Sequence, residues 1–126
     1  MFPEVNRVHK QGQAAKAISA RFHTALMSNA KWRKLFQTTA QPELEVKGYH
    51  WKFVDSDLII TTAAIVESDL NEANLRDGRV QPFIYKDIEW LELITDNPTK
   101  AIEALAAIGH FTTKATASGF QVFGYQ

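Results

Sequence analysis

The sequence predicts an α+β domain in which helices pack on a mainly antiparallel sheet, in the order ααββββαβ. Two changes of hydrophobic period lead there. Apolar residues recur at spacings of three and four up to about Thr39, and the period falls to two after Gln41-Pro42. A helical period returns after Asp96-Asn97-Pro98 and gives way to a final apolar strand. The 126 residues, 45% apolar and 22% charged, suit one hydrophobic core and are too few for two.

The first helix spans Asn6 to Met27, with Val8, Ala15, Ile18, Phe22, Ala25 and Leu26 on one face. Ser28 and Asn29 stop it and cap a second helix from Ala30 to about Thr39, whose Trp32, Leu35 and Phe36 share a face, so the pair predicts an N-terminal helical hairpin. Leu44 and Val46 then alternate with charges, while Tyr49, Trp51 and Phe53 alternate in the opposite phase, which places a bulge or tight turn at Gly48. Asp55-Ser56-Asp57 turns the chain into the strand Leu58 to Thr62. Ala63 to Val80 reads as a long loop with at most one helical turn, and strands follow at Pro82 to Tyr85 and Ile88 to Ile94. Apolar residues in both phases of the latter predict a central strand covered on both faces, with Trp90, like Trp32, in the core. Asp96 or Asn97 caps a third helix that runs to Gly109 as its left-handed terminator, and Phe120 to Tyr125 forms the last strand.

Several chemistries are excluded or disfavoured. With no cysteine, disulfides, thiol catalysis and cysteine-based metal sites are impossible. The four histidines lack helical ligand spacing, and no nucleophile elbow or phosphate-cradling glycine loop is present. Asp55 and Asp57, with Glu67, could hold a divalent cation as a small metal-dependent enzyme, although the same residues make an ordinary Asx turn. Glu45-Val46-Lys47 is half of a metal-nuclease core without the upstream acid. No cofactor and no metal are expected. No apolar run is long enough to span a membrane, and the polar N-terminus lacks signal-peptide order, so a cytoplasmic chain is expected.

Net charge is zero but unevenly spread. Residues 1–52 carry nine Lys and Arg against three Asp and Glu, and residues 53–103 carry four against eleven. The basic part, with Phe22, Trp32 and Phe36 interleaved, could bind nucleic acid, but those aromatics sit on faces predicted to pack inward. The acidic part suits a basic protein partner. Its candidate contacts are Glu67, Asp69, Glu72 and Asp77, in the predicted loop. Trp51, beside Tyr49 on one strand face, is a candidate binding residue that competes with a core role.

Four segments carry a resemblance: Lys31 to Phe36 (KWRKLF), Trp51 to Asp55, Pro82 to Leu93 (PFIYKDIEWLEL) and Gly119 to Tyr125 (GFQVFGY). Over residues 20–126 the chain resembles a small bacterial domain family of unknown function, similar to the immunity proteins encoded beside secreted polymorphic toxins. Residues 1–20 lie outside it and read as a helix specific to this member of a single domain spanning 1–126. The resemblance implies a non-catalytic protein that binds and neutralises a cognate toxin. It transfers no active-site residues. A toxin with a basic cleft would match the acidic candidates; a nucleic-acid-binding module using the basic helices is the alternative.

Overall fold

The computed structural model describes residues 18, 21, 22, 24–63, 74, 75 and 83–126. Most of the predicted first helix and of the loop after Ala63 lie outside these, as do Glu67, Asp69, Glu72 and Asp77, so the helical hairpin belongs to the sequence reading alone. Where the described residues reach the expected first helix they depart from it at its end. Ala25 forms an antiparallel bridge with Tyr125, and Thr24 N–H donates to Gln126 O at 3.0 Å. The C-terminus offers these residues an extended partner, and that pairing outweighs their apolar spacing.

The second predicted helix is helix α1, Asn29–Thr39. The Ser28 hydroxyl caps it by accepting from Lys31 N–H at 3.1 Å. A short 3-10 turn, Pro42–Leu44, ends at Glu45, whose φ of 55° puts it in the left-handed region. Strands β1 (Val46–Phe53) and β2 (Ile59–Ala63) follow, then the two-residue strands β3 (Asn74–Leu75) and β4 (Phe83–Ile84), which pair with each other. A 3-10 turn, Tyr85–Asp87, leads into β5 (Ile88–Thr95), and helix α2 is Pro98–Ala106, capped by Asn97. Strands β6 (Thr113–Ala115) and β7 (Gly119–Phe123) close the chain.

Among the described residues the main sheet has five strands, all pairings antiparallel, in the order β2-β1-β5-β7-β6. The expected irregularity at Gly48 is present as a register shift between Val46 and Gly48 against β5. A Cβ on Gly48 would meet Thr62 O at 2.5 Å, so only glycine lets β2 approach here.

Five expectations need correction. The expected loop from Ala63 to Val80 contains strand β3, and the expected strand Pro82 to Tyr85 narrows to the two residues of β4 before the 3-10 turn, because among the described residues the two short strands pair only with each other. Strand β6 has no counterpart in the sequence reading, because Thr113-Lys114-Ala115 carries no apolar alternation and is a strand only by pairing with β7. Helix α2 stops at Ala106; Ile108 is 38% exposed, and Gly109 does not take the left-handed conformation. Strand β5 is central but buried on one face only: Leu91, Leu93 and Thr95 are buried, whereas Trp90, Glu92 and Ile94 are half-buried. Trp90 is therefore not a core residue like Trp32, which is 2% exposed.

The buried face carries Tyr49, Trp51, Phe53, Leu91, Leu93, Phe120 and Val122 against α1 and α2. Phe36 is the hub of its aromatic cluster, stacked on Trp51 at 5.3 Å and edge-on to Tyr49 at 5.7 Å. Phe83 reaches in from β4 to meet Trp51 edge-on at 4.8 Å, with Tyr85 beside Phe36. A two-residue strand and a 3-10 turn thus deliver the two rings of Phe83 and Tyr85 to one core. Thr39 donates to Leu35 O, and its hydroxyl shares a 2.8 Å hydrogen bond with the Tyr49 hydroxyl. Burial pushes the Tyr49 phenol up to about 12 against a smaller opposing effect of that bond.

Candidate functional site

Side chains alternate along a strand, so the residues between the core positions form the opposite face. The cross-strand register sets them in rows: Thr61, His50, Glu92, Gln121 and Lys114 lie side by side across all five strands. A neighbouring row is Ile59, Lys52, Trp90 and Phe123. These residues range from half-buried to exposed.

Two hydrogen-bonded clusters fix this outer face. Glu92 shares a 2.7 Å contact with His50 Nδ1 and accepts from the Thr116 hydroxyl at 2.5 Å. Burial works to raise the Glu92 carboxyl, but the hydrogen bonds from Thr116 and His50, with the imidazole charge, outweigh it and hold the group below its ordinary value. In the second cluster Glu89 Oε1 receives Lys52 Nζ at 3.0 Å and Arg21 at 3.1 Å, while Arg21 also donates to Val54 O.

These contacts resolve much of the charge asymmetry. Every ion pair among the described residues joins the basic segment to the acidic one: Arg21 and Lys52 to Glu89, His50 to Glu92, Lys47 to Asp96. The cause is topological, because β1 is basic, β5 is acidic, and the two are antiparallel neighbours. Glu89, Glu92 and Asp96 are thereby engaged within the molecule.

The edge of the sheet beside this face is different. Among the described residues strand β2 ends the strand order, and Leu58 and Ile59 are 55% and 56% exposed. Thr61 and Ala63 are exposed as well. No ionisable residue lies between Leu58 and Ala63, although exposed Asp57 immediately precedes them.

Of the partner-binding candidates only Trp51 is among the described residues; of the candidate metal carboxylates Asp55 and Asp57 are, in the turn before β2. Trp51 is fully buried, its indole N–H donating to Thr62 Oγ1 at 2.8 Å, so it supports the sheet from the core side and presents nothing to solvent. Phe36 and Trp32 are likewise buried, as the inward-packing argument required, and Phe22 lies against the Tyr125 ring. Lys31 donates to Leu26 O and His110 O, and its ammonium lies over the Phe111 ring. Thus Arg21 and Lys31 of the basic segment are engaged in internal contacts. Among the described residues no group of three His, Asp or Glu side chains is placed to hold a metal ion. A small pocket of about 100 Å³ lies between α2 and β6, lined by Ile102, Leu105, His110 and Phe111.

Sequence reasoning missed the polar row and the exposed edge. The signal was present as Lys47, His50 and Lys52 on one strand and Glu89 and Glu92 on another, but their partnership depends on strand order. Comparison with known proteins found no matching family model, no matching curated protein and no matching solved structure.

Proposed function

We infer that this chain is a non-catalytic, antitoxin-like protein that neutralises a cognate secreted toxin by binding it. The observation that carries this reading is the pair Leu58 and Ile59, large apolar side chains more than half exposed where the edge strand β2 begins, beside a polar sheet face held in place by ion pairs. Exposed apolar groups next to a preorganised polar surface are the ingredients of a protein interface, in which apolar anchors supply affinity and a polar rim supplies specificity. The sequence resemblance supplies the kind of partner. Chain continuity adds the acidic candidates: Glu67, Asp69, Glu72 and Asp77 follow β2 in the sequence, and their charge favours a toxin with a basic cleft.

Affinity capture from the host, followed by a growth assay in which the captured protein is expressed with and without this chain, tests the reading. Growth should be arrested by the partner alone and restored by the wild-type chain. Leu58→Asp with Ile59→Asp should abolish protection while the fold, followed by circular dichroism, persists. Asp69→Asn, Glu72→Gln and Asp77→Asn together should slow association by about tenfold at low salt and flatten its salt dependence. A partner that is harmless alone, or protection that survives the apolar double variant, would overturn it.

A further inference from the structure

We propose that the open edge of β2 is a strand-docking edge, completed by a protein partner that lays an extended, uncharged segment with basic ends along Ile59–Ala63. This rests on the antitoxin-like reading for the existence of a partner, and adds how the partner is held.

The main chain supplies the recognition groups. The Thr62 carbonyl points at β1, since it is the atom that a Cβ on Gly48 would meet at 2.5 Å. Hydrogen-bonding direction alternates along an antiparallel strand, so Ile60 and Thr62 direct their N–H and C=O groups to β1. Ile59, Thr61 and Ala63 direct theirs off the sheet, where β2 has no neighbouring strand among the described residues. The side chains of the same three residues are exposed, so an incoming strand would meet backbone groups and apolar or β-branched side chains together.

The other edge of the sheet makes the contrast. Strand β6 is three residues long with exposed Lys114 at its centre, a short charged edge of the kind that resists pairing. Strand β2 has five residues with no charge and no proline. Charge also selects the occupant. The sequence is uncharged from Leu58 to Val66, preceded by Asp55 and Asp57 and followed by Glu67 and Asp69. A second copy would carry the same acidic flanks in its sequence, so self-pairing sets like charge near like. A segment with lysine or arginine at its ends meets opposite charge instead.

The test uses the full chain and two synthetic peptides of alternating valine and threonine, one with paired lysines at each end and one with paired glutamates. Amide hydrogen exchange read by NMR should slow at Ile59, Thr61 and Ala63 with the lysine peptide and not with the glutamate peptide. Thr61→Pro removes an outward N–H and leaves the β1 ladder intact, so it should weaken lysine-peptide binding by about tenfold or more. Ile59→Lys, an exposed substitution that cannot disturb the core, should do the same by repelling the peptide's charge. Equal binding of both peptides, protection of the three amides in the dilute protein alone, or protection that grows with protein concentration alongside dimer in sedimentation would overturn the proposal. Toxin neutralisation that survives Thr61→Pro would remove this docking mode and leave the antitoxin reading standing. Lysine-peptide protection at the three amides, in a chain whose captured partner proves harmless, would support the edge and remove the antitoxin reading.

Discussion

On one face of the sheet Tyr49, Trp51, Leu91, Leu93 and Val122 are out of water beneath two helices; one residue along the same strands, His50, Lys52, Glu92 and Gln121 form the other face in cross-strand rows. The buried face draws its stability from apolar burial and ring packing, which depend on shape. The outer face draws on partly solvated ion pairs, which contribute little each but set the register of a basic strand against an acidic one. The same backbone thus separates a face that holds the fold from one that can be altered without unfolding it.

Removing the buried face's central ring should have the largest effect. Trp51→Ala deletes the contacts to Phe36 and Phe83 and leaves Thr62 without its donor, and should cost roughly 3 to 5 kcal/mol in denaturant unfolding. Trp90→Ala, on the half-buried side of β5, should cost only about 2 kcal/mol. Equal losses for the two tryptophans would mean that the faces do not differ as described.

Glu92→Gln should cost about 1 kcal/mol at neutral pH, by weakening the bonds from His50 and Thr116. Its pH signature is sharper. Because the folded carboxyl lies below its ordinary value of 4.5, its contribution is complete above that pH and drains away as pH falls through the lower folded value. Melting temperature followed from pH 6 downward should therefore converge for the wild type and Glu92→Gln in acid. Curves that stay parallel would show that the cluster adds nothing dependent on ionisation. At the small end, Lys47→Ala should change stability by less than about 0.5 kcal/mol, since Lys47 and Asp96 are 60% and 80% exposed and their attraction is screened by water.

Much of the architecture was legible in local patterns. The Ser28 cap, a cap at Asp96 or Asn97, helix α1, strand β1 with its flaw at Gly48, and the aromatic stripe of Tyr49, Trp51 and Phe53 all follow from side-chain period and capping chemistry, which act over a few residues. Strand β6 was not legible, because pairing alone makes it a strand. Nor was the half-exposure of Trp90: periodicity reports that a residue is apolar, whereas the number of layers over a sheet depends on where the helices go. Trp51 was ambiguous for the same reason, its face decided by which side of the sheet α1 covers.

The sequence by itself determined the α+β class, the aromatic composition of the core and the division of charge into a basic and an acidic part, since each resides in residue type and spacing. Only the tertiary structure decided that these charges meet across β1 and β5, and that Leu58 and Ile59 stand in solvent at a sheet edge. Strand order brings together residues some forty positions apart, as with His50 and Glu92, and no local pattern encodes that adjacency.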